Sequence, residues 1–181
     1  KARKNITIKH LLTHTAGFPA FKQYYRMDIE TKDILTDICD TELLYEPGTK
    51  TIYSDLGLIL LGKVVESIAG VSLDAFITKN LFQRLNMDNT FYNPPDHKLR
   101  RIVPTEIVSG YRSGLIHGEV HDENAHKLGG VAGHAGLFST AGDLAKFSQC
   151  MLQGGIYGNK RIFKEKTIQQ FTAQSLVDSS S

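Results

Sequence analysis

Several polar side chains occur in positions from which they could take part in catalysis. Tyr53 and Asp55 flank Ser54 just before a long apolar helical pattern, so a phenol and a carboxylate stand where a helix begins. A phenol titrates at about 10 and acts as a general base only when nearby positive charge lowers its pKa. His134 lies next to glycines that let the backbone approach a ligand closely. The run His121-Asp122-Glu123-Asn124 forms a polar cluster in a loop, for which a hydrogen-bonded brace is favoured over a substrate contact.

The histidines and cysteines of the chain do not have the spacing of a metal site. His10 and His14 lie one helical turn apart, but a zinc-protease signature needs Glu directly after the first histidine, where this chain has Leu11. Cys39 and Cys150 lie in apolar helical patterns without a neighbouring ligand, which favours two buried free thiols over a disulfide between them. We therefore expect no metal and no cofactor.

The composition is that of one globular domain. Among the 181 residues, 41% are hydrophobic, and 21 basic residues against 19 acidic residues give a formal net charge of +2. Because the charges nearly cancel and form no long blocks, the sequence does not predict binding to nucleic acid or to an anionic membrane. The longest apolar run, Leu56 to Leu61, is interrupted by Gly57 and is far shorter than the roughly 20 residues that span a bilayer.

Hydrophobic periodicity and capping residues predict the helices that must position these side chains. The clearest helix begins after the N-cap Ser54 and ends at Gly70, which would place Tyr53 and Asp55 on a rigid corner. The other predicted helices follow Thr7, run from Lys32 to Asp40 after Thr31, follow Ser72, follow Ser139-Thr140, and run from Lys164 to Gln174.

Little β structure is expected beside these helices. Thr49–Tyr53 has enough β-branched character for a short extended piece, and Gly114–Val120 reads as a β-ribbon. The ribbon lies within Tyr92–Lys127, a long loop region that is rich in glycine, proline and polar residues. The predicted fold class is therefore mainly α with minor β.

Three stretches together resemble the serine β-lactamase and penicillin-binding-protein family, nearest its class C β-lactamase and esterase branch. The first is Ile6–Pro19, ITIKHLLTHTAGFP, which has Ala16 where the family more often has serine. The second is Tyr53–Gly57, YSDLG, and it is similar to the family's Tyr-x-Asn segment. The third is Gly136–Phe147, GLFSTAGDLAKF. Their order and spacing also agree with the family, so the resemblance covers nearly the whole chain.

The resemblance implies a fold in which a helical lobe joins an antiparallel sheet lobe, with a site built from three motifs. These are Ser-x-x-Lys, the Tyr-x-Asn tyrosine, and a Lys-Thr-Gly or His-x-Gly strand. No serine in this chain has a lysine three positions later, and neither strand motif follows the third stretch. We therefore expect residues 1–181 to form a single partial domain, mainly the helical lobe of a longer protein. The first motif would precede residue 1 and the last would follow residue 181.

The resemblance also assigns roles to residues of this chain. Tyr53 would be the general base and acid, and Asp55 would hold a lysine beside it. Ionised Asp55 only accepts hydrogen bonds, whereas the family's asparagine can also donate, so a substrate carboxylate nearby would be repelled. His134 and Gly136 would line the rim of the substrate cleft.

For the longer protein, the resemblance implies a bacterial, extracytoplasmic serine hydrolase. It would cleave a small-molecule ester or amide, or a peptidoglycan-like peptide, through an acyl-enzyme. Domains of this kind are joined to glycoside hydrolases in some bacterial proteins, which would suggest fusion to other domains and a cell-wall context. The isolated chain would be inactive because it lacks the nucleophile. Two alternatives stay open: a noncatalytic binding or sensor domain, which Asp55 favours slightly, and, more distantly, a metallohydrolase.

Overall fold

The computed structural model describes residues 2–174, and over this range the predicted mainly helical fold class is confirmed. The longest helix, α3, begins one residue after Ser54 and ends before Gly70, as the sequence predicts. The helices are α1 (Ile8–Leu12), α2 (Thr31–Asp40), α3 (Asp55–Ala69), α4 (Leu73–Ile77), α5 (Gln83–Leu85), α6 (Glu123–Lys127), α7 (Ala141–Leu152) and α8 (Glu165–Thr172). A π-helical turn, Thr78–Phe82, joins α4 to α5. The predicted domain also includes Lys1 and residues 175–181, which lie outside the described residues.

Capping explains where several helices begin. Thr7, Ser54 and Thr140 each accept a hydrogen bond from the third backbone N–H that follows, so each satisfies a donor that the helix leaves unpaired. The expected cap at Thr31 is wrong by one residue, since Glu30 precedes α2 and makes no side-chain capping bond. Gly70 ends α3 with a φ of 68°, a left-handed conformation that costs glycine little.

The β structure consists of three antiparallel pairs of two-residue strands in the described part. They are β1 (Phe91–Tyr92) with β4 (Leu137–Phe138), β2 (Ile107–Val108) with β3 (Gly114–Leu115), and β5 (Ile156–Tyr157) with β6 (Lys160–Arg161). The expectation of at most two strand-like pieces was therefore too low, because strands this short show no alternating pattern. Thr49–Tyr53 forms no strand. Of the predicted ribbon Gly114–Val120, only Gly114–Leu115 is a strand, and its partner Ile107–Val108 lies outside the predicted range.

Two of the three apolar clusters in the described part of the chain hold the longer helices together. The first joins α1, α2 and α3 through buried side chains that include Leu11, Ile34, Ile38, Leu56 and Ile59. The second joins the end of α5 to α7 through Phe82, Leu85, Met87 and Cys150. The first cluster fixes the start of α3, which is where Tyr53 and Asp55 lie.

Both cysteines are free thiols, as predicted, but only Cys150 is buried. The prediction that Cys39 is buried is wrong. Cys39 follows the fully buried Ile38 on α2, and the next position along a helix turns away from the core.

Within residues 2–174, no single helix is long and apolar enough to cross a membrane. By length and composition, the joined pair Asp55–Ala69 and Leu73–Leu85 passes the same test, but the two parts are bent by 72°.

Candidate active site

Tyr53 is a 57% exposed side chain next to a rigid helix start. The Ser54 hydroxyl that caps α3 also donates to the Pro19 carbonyl over 2.7 Å. The Asp55 N–H donates to the Ala20 carbonyl over 2.8 Å. These two bonds join the start of α3 to the segment that follows α1. They fix the backbone immediately after Tyr53.

His14 makes contact with three consecutive residues around this tyrosine. Its carbonyl accepts the Ile52 N–H at 3.0 Å, and its Nδ1 accepts the Ser54 N–H at 3.2 Å. Its ring packs against the Tyr53 ring with a centroid separation of 4.5 Å. His14 does this with a φ of 57°, an uncommon conformation for a residue with a side chain. It therefore positions Tyr53, a role that the sequence does not indicate.

His10 caps α1, whereas His14 contacts Tyr53, so the two histidines have separate structural roles. The His10 ring accepts the Thr7 N–H, and the Thr7 hydroxyl accepts the His10 N–H, each over 3.3 Å, which closes a capping box at α1. The sequence around His14 gives no signal for its role beside Tyr53. The contact with Tyr53 is 39 residues away and leaves no local pattern.

A group of three ionisable side chains lies beside Tyr53. One ligand-type atom from each of Asp55, Asp122 and His134 lies within 4.8 Å of the other two. His134 Nε2 is 2.9 Å from Asp122 Oδ1, and the His134 side chain is only 2% exposed. The structure thus brings the predicted residues Tyr53, Asp55 and His134 together and adds Asp122.

Local structure explains how these three side chains converge. Asp55 is the first residue of α3, and Asp122 is the N-cap of α6, where Oδ1 accepts the Ala125 N–H at 2.7 Å. His134 follows Gly133, whose backbone crosses α3 so closely that a Cβ there would lie 2.1 Å from the Leu58 carbonyl oxygen. Glycine at position 133 therefore lets the loop lie directly on α3 and places His134 beside the helix start.

The cluster of residues 121–124 is largely the brace that the sequence favoured. His121 pairs with Glu106 at 2.8 Å, and Asn124 bonds the backbone of Lys22 and Tyr25. Asp122 does both jobs, because it caps α6 and also faces the site. A capping aspartate three residues before Ala125 is the sequence signal that could have separated it from its neighbours.

Close packing explains why position 136 is a glycine. Its φ is 121°, and a Cβ would lie 2.4 Å from the Gly130 carbonyl oxygen and 2.8 Å from the Tyr92 ring. Substrate binding at Gly136 stays a prediction.

The electrostatics around Tyr53 are the reverse of what a general base needs. The pKa of Tyr53 lies above its ordinary value of 10.0, first because of desolvation and then because the carboxylates of Asp55 and Asp122 face it. Burial also lowers the pKa of His14, which Asp55 partly opposes. Burial disfavours the ionised form of Asp122, but bonds from His134 and Ala125 outweigh it and lower the pKa of that carboxyl. A phenolate at Tyr53 therefore needs a positive charge from another source.

Comparison with known proteins gives the family. The family model described as Beta-lactamase matches residues 1–179. An Escherichia coli K12 relative named "Putative D-alanyl-D-alanine carboxypeptidase" is 38% identical over 198 residues, covering 98% of this chain and 46% of its own length. The chain thus spans about half the length of the curated relatives it matches.

Solved structures agree with this match. A penicillin-binding protein from Bacillus halodurans superimposes with a TM-score of 0.66 at 25% identity, over 92% of this chain and 52% of its own. A beta-lactamase/D-alanine carboxypeptidase from Yersinia pestis gives a TM-score of 0.62 at 19% identity, over 91% and 43%, and this likeness shows the fold. Because the family model matches nearly the whole of this chain, the chain belongs to the beta-lactamase family.

Proposed function

We propose that this chain is the tyrosine-bearing part of a serine hydrolase that cleaves an ester, amide or peptide bond through an acyl-enzyme. The observation that carries the proposal is the exposed Tyr53, held by His14 at the start of α3 in a chain of the beta-lactamase family. An exposed phenol that is positioned so firmly suits general acid–base catalysis better than packing.

In this mechanism Tyr53 takes the proton of the nucleophilic serine and returns it to the leaving group. The serine and the lysine of the Ser-x-x-Lys motif would come from the rest of the longer protein. The lysine would lie beside Asp55, where its ammonium group offsets the carboxylates that raise the pKa of Tyr53. Asp55 in place of the family's asparagine thus favours a tightly held lysine.

The substrate would be a peptidoglycan-like peptide or a small ester or amide, processed outside the cytoplasm of a bacterium. The name of the Escherichia coli relative supports the peptide class. The carboxylates of Asp55 and Asp122 would repel a substrate that placed its own carboxylate close to Tyr53. We therefore expect a bound peptide to have its terminal carboxylate turned away from Asp55 and Asp122.

The test compares hydrolysis of a nitrophenyl acyl ester by this chain, by the longer protein and by its Tyr53→Phe variant. We expect no turnover by the chain and a loss of about 10²–10⁴-fold in kcat for the variant, the usual contribution of a general acid–base group. Tyr111→Phe is the matched control, since Tyr111 is 43% exposed and contacts Tyr25 and His126 instead. Turnover by the isolated chain, or unchanged turnover in Tyr53→Phe, would contradict the proposal.

A noncatalytic binding or sensor role is the second candidate, and Asp55 at the asparagine position is the observation that favours it. Adding an amide and a peptide substrate to the assay separates the two, because a longer protein that folds but hydrolyses no ester, amide or peptide would support binding alone.

A further inference from the structure

A cavity of about 370 Å³ is lined by the β1–β4 pair and by the 3₁₀ helix Asp96–Arg101 with the segment that follows it. Apolar side chains of both strands form part of its wall, and the basic side chains of Lys98 and Arg101 line it as well. Among the described residues that line the cavity, none is acidic. Its volume is in the range that holds one small ligand.

Lys98 and Arg101 meet at a single neutral acceptor. Lys98 Nζ donates to Asn89 Oδ1 over 2.9 Å, and Arg101 Nη1 donates to the same oxygen over 3.0 Å. Neither cation forms an ion pair within residues 2–174, whereas Lys63 and Lys146 each contact a carboxylate. Like charges held this close repel each other, and an anion beside them relieves the repulsion. The wall of the cavity therefore carries positive charge that no side chain balances in the described part of the chain.

Hydrogen-bond donors remain available at this wall. Lys98 also donates to the Asp88 carbonyl over 3.0 Å, which leaves one N–H of its ammonium group for another acceptor. Arg101 uses a single N–H, and its planar guanidinium matches the oxygens of a carboxylate or a phosphate. The Thr140 oxygen lines the cavity and accepts the Asp143 N–H at 3.3 Å, so its own proton has no acceptor among the described residues. One anionic group could thus receive bonds from several side chains.

We propose that this cavity binds a small organic acid, whose carboxylate or phosphate group contacts Lys98 and Arg101 and whose apolar body packs on the strand side of the wall. The charged and apolar parts of the wall are adjacent, because Lys98 Nζ lies 5.7 Å from the centre of the Phe91 ring. Neither Tyr53 nor His134 lines the cavity. The proposal therefore goes beyond the hydrolase function and does not depend on it.

The experiment is a ligand-observed NMR titration of the longer protein at low ionic strength, with the 181-residue chain in parallel. Phenylacetate and phenyl phosphate are the acidic probes, and benzyl alcohol is their uncharged counterpart. We expect saturable binding of at least one acid, about tenfold or more tighter than the alcohol, because hydrogen bonds between charged groups are the strong ones. The acid that binds more tightly identifies the anionic group. Added salt should weaken the binding, since it screens the two cations.

Three substitutions test the residues that carry the proposal. Lys98→Gln and Arg101→Gln should each weaken binding of the acid about tenfold, because each removes a charged donor. Asn89→Asp should weaken it by a similar factor while keeping the shape of the side chain, because its carboxylate would balance both cations. Arg100→Gln is the matched control, since Arg100 is exposed and next to Arg101 but does not line the cavity. Its affinity should equal that of the parent protein.

The proposal would be overturned if neither acid bound the longer protein, if benzyl alcohol bound as tightly, or if the three substitutions left the affinity unchanged. Binding by the chain but not by the longer protein would also overturn it, because the rest of the protein would then cover the cavity. Circular dichroism checks that each variant folds, and Asn89→Asp decides if loss of Lys98 or Arg101 prevents folding. Ester hydrolysis is measured separately, so failure of either test leaves the other unaffected.

Discussion

Asp143 and Asp122 are both carboxylates near the start of a helix, and each accepts a backbone N–H, yet their other partners differ. Asp143 is 2% exposed and accepts hydrogen bonds from Lys146 at 2.9 Å, from the Asn89 N–H at 2.8 Å and from Thr90 at 3.0 Å. Asp122 has His134 and the Ala125 N–H, but Asp55 also lies in its group. The first carboxylate has a lysine of its own, whereas the second faces another acid.

This difference separates a carboxylate that joins two segments from one that faces Tyr53. Burial opposes the ionisation of Asp143, but Lys146 and the two donors that precede β1 outweigh it and lower the pKa of that carboxyl. The charge of Asp143 therefore joins α7 to the segment before β1. Asp122 lies instead with Asp55 beside Tyr53, where burial and both carboxylates raise the pKa of that phenol.

The largest expected effect is on the structural carboxylate. Asp143→Ala should lower the free energy of unfolding by about 2–3 kcal/mol, because it removes the buried carboxylate that accepts hydrogen bonds from Lys146, the Asn89 N–H and the Thr90 hydroxyl. Urea denaturation of the chain measures this change. Asp28→Ala, at an exposed position, is the control and should change stability by less than about 0.5 kcal/mol. If Asp143→Ala and Asp28→Ala lowered the free energy of unfolding by the same small amount, Asp143 would not join α7 to the segment before β1.

The sequence predicts local features well and the site only in part. The cap at Ser54, the end at Gly70 and the cap at Thr140 were predicted because each depends on residues within one helical turn. The pairing of Phe91 with Phe138 has no local signal, since the partners are 47 positions apart.

The exposed side of Cys39 and the meeting of Asp122 with Asp55 were missed for a similar reason. An apolar pattern on α2 gives its period, but which neighbouring residue faces the core depends on how the helix packs. The family resemblance selected Tyr53, Asp55 and His134, whereas only the folded chain shows that a helix cap brings Asp122 to the same place.

At the site, a substitution of His14 should have a smaller effect on the free energy of unfolding, and this effect should depend on a different pH range. Burial lowers the pKa of His14 below its ordinary value of 6.5, so the fold favours the neutral ring. The stability that the neutral His14 ring contributes is present above pH 6.5, and it is lost as the pH falls through the pKa of His14 in the folded state. The pKa of Asp143 is lowered from 3.8, so its contribution is lost only in stronger acid.

Urea denaturation at several pH values separates these two ranges. His14→Asn keeps an acceptor and tolerates the positive φ, and it should cost about 1 kcal/mol near neutral pH. This cost should shrink as the pH falls below 6.5, while the cost of Asp143→Ala should persist until the pH falls below 3.8. Equal pH profiles for the two variants would remove the distinction between the two regions.

Asp55→Asn should change the free energy of unfolding least. It tests most directly how the carboxylates beside Tyr53 interact. The substitution removes repulsion between Asp55 and Asp122 but also removes a negative charge from the first turn of α3, where it is favourable by about 0.3–1 kcal/mol. Because the two changes oppose each other, the free energy of unfolding should change by less than about 1 kcal/mol.

The pKa of Tyr53 should respond to this substitution more clearly than stability does. The Asp55 carboxylate raises that pKa, so Asp55→Asn should lower it towards 10.0. Phenolate absorbance during alkaline titration measures the change, with Tyr53→Phe identifying which of the seven tyrosines gives the signal. Asp33→Asn, in the first turn of α2, is the matched control and should leave the Tyr53 titration in place. A Tyr53 titration that stays unchanged in Asp55→Asn would mean that the two side chains do not interact. Asp55 would then be a carboxylate that serves the helix start alone.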